Sequence, residues 1–486
     1  MRAFLLICLV NGLVFWKTLS VPFIWDDWTY IINNSQLDSP EAWQNIWLSF
    51  SLADYWPVSY SILKLCKQVF GTQPLGYHWV SISLYIGIQV LLLQCLKHFK
   101  IRNALLMVLL FAVHPLQVET LAWIFQIKTL LSGFFLLLAI WIFIKKSLHF
   151  RILSFLAFAI SLLAKPTFIL VPFSAIHGFL SLIVGSLNLW KYRSIGFTPP
   201  SEEVFQQPLA DRVLVLPLIL QRYVEKIIWP KNLSFVDPQI QGQDDPLVLF
   251  IGWSAVIAGL FLWYRFRKKL SMQFHIGLFG FLLCLAPVLG IFEVYFLRYA
   301  PSADHWAFGA LGFFILGLVA FTAPVMNSTW TQGLLTASII ICAYLSHQRL
   351  DVFQSEETLY KDALTKNPKA WLALNNLGLI YKREGRWKDA LDHYQQAILI
   401  RPTAQSFYNR GIVFEVLNQL DQASNEYQKS LELHPLAPQT WNNLGVVQAK
   451  KKEVQSAMQS FRRALEIDPD HKEANHNLKK LIEPPL

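Results

Sequence analysis

Two adjacent carboxylates, Asp26 and Asp27, sit between Trp25 and Trp28 just after an apolar N-terminal run. Neighbouring acids beside apolar rings raise one another's pKa, so one of them can act as a general base or hold a divalent cation. A helix N-cap beside a solvated acid is the plain alternative. Other titratable groups lie where apolar segments end: His114 and Glu119, Lys128, Lys165 before Pro166, Arg298, and Asp304 with His305. Ionisable groups inside membrane segments are expensive and mark function by default, although Lys128 or Lys165 alone can also snorkel to an interface. Acids and cations gathered on one face describe a site for an anionic lipid head group. The chain has no His-Glu-x-x-His, Walker, Gly-x-Ser-x-Gly or dinucleotide-binding glycine pattern, so soluble-nucleotide chemistry is not signalled.

The elements that must position these groups belong to a membrane. Of 486 residues, 54% are hydrophobic, 14% aromatic and only 15% charged, a balance foreign to a soluble enzyme. The net charge of +10 falls almost wholly before residue 351, with 24 Lys and Arg against 15 Asp and Glu. Basic residues there flank spans rather than bind nucleic acid. Cys8, Cys66, Cys95, Cys284 and Cys342 lie in or beside apolar stretches without a Cys-x-x-Cys. Neither a disulfide framework nor a zinc site is indicated.

The apolar runs predict about eleven spans, near residues 3–19, 76–96, 103–122, 125–144, 152–164, 167–187, 211–228, 246–264, 271–290, 305–325 and 331–347. The first carries no small-x-small cleavage site and reads as an uncleaved span. Lys97, Lys100 and Arg102, then Lys145, Lys146 and Arg151, then Arg265, Arg267, Lys268 and Lys269 follow even-numbered spans, which places those loops and the N-terminus in the cytoplasm. The long first loop, about residues 20–75, then lies outside with most loop acids. With eleven spans, the C-terminal tail does too.

Beyond the last span, Pro368, Pro402, Pro435 and Pro469 recur at spacings of 34, 33 and 34 residues, a period that signals a repeat. Leu377-Gly378, Tyr381, Ala390, Tyr394 and Ala397 return as Gly411, Phe414, Ala423 and Tyr427, and again as Leu444-Gly445, Ala457, Phe461 and Ala464. This is the tetratricopeptide pattern. Small residues let paired helices approach, large ones fill the gap, and proline ends each pair. The expected organisation is all-α: a polytopic membrane domain at 1–348 and a repeat solenoid at 349–486, with full repeats near 371–403, 404–437 and 438–471. Asn375, Asn376, Asn409, Asn442 and Asn443 recur on the first helices, where Asn is a poor helix former. They are candidates to hydrogen-bond a peptide in the concave groove, with bracing of the membrane part as the alternative role of the stack.

Trp25-Asp26-Asp27, Gly76-Tyr77-His78, His114-Pro115-Leu116-Gln117-Val118-Glu119 with Trp123, Ala164-Lys165-Pro166, Trp229-Pro230-Lys231-Asn232-Leu233-Ser234, Ala286-Pro287-Val288 and Ala303-Asp304 occur in order before the repeats. The ordered set resembles the transmembrane and tetratricopeptide-repeat O-mannosyltransferases and their bacterial relatives, within the GT-C class of polytopic glycosyltransferases. The resemblance implies a polyprenyl-phosphate sugar donor and an inverting attack in which Asp26 or Asp27 takes the proton of an acceptor hydroxyl. Lys165, Lys128, Arg298 and His114 are then candidates to balance the departing phosphate, and Glu119, Asp304 and His305 to orient the acceptor or those cations. A divalent cation is compatible with the site but not required, and no metal site is assigned. The chain departs from the family pattern at Thr129, at Tyr55-Trp56-Pro57 and at His305-Trp306. The expected acceptor is a protein hydroxyl presented by the repeats, in a bacterial periplasm or, in a eukaryote, the endoplasmic reticulum lumen. An inactive membrane scaffold with partner-recruiting repeats is the competing expectation.

Overall fold

The computed structural model describes residues 1–48, 55–194, 208–240, 242–291, 299–323 and 328–482. Every regular element among them is helical. The chain divides into two compact units, one built from residues up to Leu359 and the other beginning at Tyr360.

In the first unit the helices used below are α1 (Arg2–Phe15), α2 (Pro57–Phe70), α3 (Pro74–His98), α4 (Ala104–Val113), α5 (Gln117–Ala122), α6 (Ile127–Phe143), α7 (Leu148–Ala164), α8 (Ala175–Ser194), α9 (Leu216–Ile228), α10 (Pro246–Phe266), α11 (Met272–Leu285), α12 (Phe308–Thr322) and α13 (Ser328–Val352). Among the described residues five segments are long and apolar enough to cross a membrane: Arg2–Ser20, Pro74–His98, Ile124–Phe143, Pro246–Phe266 and Asp304–Thr322. The expected eleven are not supported among the described residues. The run at 103–122 breaks after Val113, where His114-Pro115 separates α4 from the short α5. Lys165 takes an extended conformation (φ −165°, ψ 129°) before Pro166 and ends α7, as the residue before a proline favours. The segment at 211–228 becomes an amphipathic helix that buries Lys226.

Helix α10 buries none of its residues. A bare helix of 21 mostly apolar residues is stable only against lipid or another apolar surface. Elsewhere the helices touch closely. A Cβ on Gly277 of α11 would come within 2.4 Å of the Gly317 backbone in α12, the kind of approach that joins helices in lipid, where packing replaces the hydrophobic effect.

The second unit begins within α14 (Glu356–Lys366) and continues as the helix pairs α15 (Trp371–Arg383) with α16 (Trp387–Ile400), α17 (Ala404–Val416) with α18 (Leu420–Leu433), and α19 (Pro438–Lys450) with α20 (Val454–Ile467), followed by α21 (Lys472–Ile482). The packing follows the sequence period. Cβ atoms on Gly378, Gly411 and Gly445 would meet the rings of Tyr394, Tyr427 and Phe461 at 2.7 Å, 2.8 Å and 2.7 Å, so each pair closes by setting an aromatic ring on a bare backbone.

Candidate functional site

The two acids of the first loop have different surroundings. Asp27 is fully buried; its Oδ2 accepts the Ile24 N–H at 3.0 Å and its Oδ1 the Phe125 N–H at 2.7 Å. It pins the loop to the turn between α5 and α6. Burial holds its carboxyl well above the ordinary carboxylate range, opposed by the two backbone donors, then reinforced by Asp26 and opposed by Lys128. Asp26 is only half-buried and adjoins it. Trp25 takes a left-handed backbone conformation (φ 44°). Its ring lies 5.2 Å from Trp123, 5.0 Å from Phe235 and 5.8 Å from Tyr299, an aromatic cluster that starts at the residue before the acids.

The cations come to the same place. Lys128, at the start of α6, has its Nζ 3.4 Å from the Phe125 ring centre, 4.4 Å from Trp56 and 5.7 Å from Trp123. Such cages hold a desolvated ammonium through ring quadrupoles. Lys165 Nζ donates to Thr129 Oγ1 at 2.9 Å, and Thr129 donates on to Gln126 Oε1 at 2.7 Å. The extended backbone at Lys165 is held by Ser132, whose hydroxyl donates to the Lys165 carbonyl at 2.8 Å. Lys128, Lys165 and Lys226 all lie within electrostatic reach of His305.

His305 Nδ1 meets Glu119 Oε1 at 2.5 Å, both residues being buried, and its ring stands edge-on to Trp123 at 5.4 Å. Glu119 Oε2 has no hydrogen-bond partner among the described residues. Asp304 accepts from Lys226 Nζ at 2.6 Å, and the same ammonium bonds Asp237, which in turn accepts from Ser302. One buried lysine thus serves two buried carboxylates. Sequence reasoning missed Lys226 by absorbing it into an apolar span; a lysine inside such a run was the available signal.

His114 lies apart in role. Its Nε2 faces the Ile227 carbonyl at 2.9 Å and its Nδ1 accepts the Leu116 N–H at 3.2 Å. With both nitrogens engaged by backbone, it fastens the break between α4 and α5 to α9 and has no nitrogen left for a phosphate. Arg298 lies outside the described residues. Among the described residues no group of three or more His, Cys, Asp or Glu side chains is placed to hold a metal.

In the repeats, Asn375, Asn409 and Asn442 are buried and bonded across repeats rather than turned to a ligand. Asn409 donates to Asn375 at 3.4 Å, Ser406 to Asn375 at 3.2 Å, and Asn477 to Asn442 at 3.0 Å. Asn443 donates to Tyr408 Oη at 3.2 Å. Asn376 accepts from Asn375, while its own Nδ2 has no partner among the described residues.

The family model of the tetratricopeptide repeat matches residues 371–403, and a second tetratricopeptide model matches 408–472. Human Protein O-mannosyl-transferase TMTC3 is 37% identical over 106 residues, 21% of this chain and 12% of that protein. Human TMTC1 is 32% identical over 110 residues, 22% of this chain and 12% of its own length. Hsp70-Hsp90 organizing protein 2 of Arabidopsis thaliana is 28% identical over 102 residues, covering 21% and 18%. The chain therefore spans about an eighth of the O-mannosyl-transferases it matches, and the matched stretch is the repeat block.

Proposed function

We propose that the chain is an integral-membrane glycosyltransferase that moves a hexose from a polyprenyl-phosphate donor to protein hydroxyls on the extracytoplasmic side, its repeats recruiting the acceptor. The observation that supports this most is that Lys128 and the Glu119-bound His305 both lie against Trp123, which packs on Trp25 next to Asp26, with Lys165 within electrostatic reach of His305. Similarity of the repeats to two O-mannosyl-transferases adds to it.

In this reading Asp26 takes the proton of the acceptor hydroxyl, whose oxygen forms a bond to the anomeric carbon from the face opposite the phosphate. The bond from that carbon to the phosphate oxygen breaks, and the phosphate leaves with the electron pair. Charge then grows on the phosphate, where Lys165 and Lys128 stabilise it in a site poor in water. Asp27 holds Asp26 in place, and Glu119 fixes the His305 ring beside the sugar. Asp304 is held by Lys226 and sets the segment that carries His305. Tethering an acceptor through the repeats raises its local concentration to about millimolar.

Reconstitution of the full chain in liposomes with polyprenyl-phosphate mannose and an acceptor polypeptide tests the reading. A gain of one hexose mass on Ser or Thr is expected, and no gain with any polyprenyl-phosphate hexose overturns it. A second reading, a membrane-anchored scaffold without transferase activity, is favoured by one observation: the relatives match the repeat block alone.

A further inference from the structure

The geometry points to Glu356 as the positioning residue of the acidic loop. Trp25 stands at φ 44°, a region that a bulky side chain occupies under strain and keeps only when its surroundings enforce it. The Trp25 N–H is the atom so displaced. It donates to Glu356 Oε1 at 2.9 Å across 331 residues of chain. A charge-assisted bond of this kind is stronger than a neutral one. It fixes the Ile24–Trp25 peptide plane, one residue before Asp26, and so holds the turn from which Asp26 projects.

The bond does not stand alone. Lys17 Nζ meets Asp351 Oδ1 at 2.6 Å, Ser20 Oγ donates to Gln354 Oε1 at 2.8 Å, and Gln354 Nε2 donates back to the Lys17 carbonyl at 3.2 Å. The strand of chain from residue 17 to 25 is laced, rung by rung, to residues 351–356. Glu356 is also the first residue of α14, where the helix dipole favours a carboxylate. The helix that leads toward the repeats therefore begins at the residue holding the acidic loop in its strained form. Any rotation or fraying of the first turn of α14 withdraws Oε1 and frees Trp25 to relax, turning Asp26 away. The role assigned to Asp26 rests on the proposed transferase reading; the tether itself does not.

The test uses the full chain in nanodiscs, comparing wild type with Glu356→Ala and Glu356→Gln. Gln keeps an acceptor oxygen, and Ala removes it. Hydrogen exchange of the peptide covering residues 21–30 is expected to rise about tenfold in Glu356→Ala, the loss of one hydrogen bond to a charged group, and by a smaller factor, about threefold, in Glu356→Gln, which keeps a neutral acceptor. In turnover, Glu356→Ala is expected to lower kcat about tenfold with KM unchanged, and Gln to rescue it. Unchanged exchange in Glu356→Ala, or an equal rise in both variants, overturns the inference. A wild-type chain that protects this loop through Glu356 yet transfers no sugar overturns the transferase reading and leaves the tether standing.

Discussion

Asp27 reaches across 98 residues of sequence to accept the Phe125 N–H at 2.7 Å, while its second oxygen takes the Ile24 N–H. The pair joins the first loop to the turn before α6, and it sets a buried fastener beside a half-buried neighbour, Asp26. Asp27→Asn replaces an acceptor oxygen by an amide facing a backbone donor. It is expected to cost about 1–3 kcal/mol, read as a lowered Tm in detergent, whereas Asp26→Asn leaves Tm unchanged.

The same burial gives a pH dependence. Burial raises the Asp27 pKa in the folded protein above its unfolded value near 3.9. Between those two values the folded state binds more protons than the unfolded one, so stability falls as pH rises through that window and returns on acidification. Asp27→Asn removes the titration. Its Tm is expected to fall less steeply than that of wild type from pH 4 upward, as unfolding scans at stepped pH will show.

Lys226 is predicted to be the most sensitive single position in the membrane unit. Lys226→Met strands Asp237 and Asp304 together in a buried site, a loss of about 3–5 kcal/mol for a broken buried pair. The double variant Lys226→Met with Asp304→Asn is expected to recover part of that loss, since one stranded charge is gone. Thermal unfolding of the three proteins checks this, and equal destabilisation of single and double variants would sink it.

The repeats divide their asparagines by role. Asn375→Ala removes the acceptor used by Ser406 and Asn409 and is expected to lower the Tm of the repeat unit through about 1 kcal/mol of lost hydrogen bonding. Asn376→Ala removes only the acceptor of one long bond from Asn375, at 3.4 Å, and is expected to lower Tm by less. Calorimetry of the two variants checks the difference.

These contrasts also show what the sequence could carry. The period of Pro368, Pro402, Pro435 and Pro469 marked the solenoid, because each repeat must solve the same packing problem with a glycine opposite an aromatic ring. Lys165-Pro166 marked a helix end because proline constrains the residue before it. The count of spans was less legible: hydropathy does not reveal that His114 ends α4 on the Ile227 carbonyl, nor that Lys226 turns inward to two acids. The recurrence of Asn375, Asn409 and Asn442 was visible, but bonding between repeats and bonding to a ligand impose the same residue at the same place. Likewise, Asp26-Asp27 reads as a pair in sequence; only the distant Phe125 amide tells them apart.

The most direct measurement is the rate of hexose transfer from polyprenyl-phosphate mannose to an acceptor polypeptide by reconstituted wild type and Asp26→Asn. Loss of a general base costs about 10²–10⁴-fold, so Asp26→Asn is expected to transfer at least about a hundredfold more slowly with Tm and peptide binding preserved. A well-folded Asp26→Asn protein that transfers sugar at the wild-type rate would contradict the assignment of this loop as the catalytic centre.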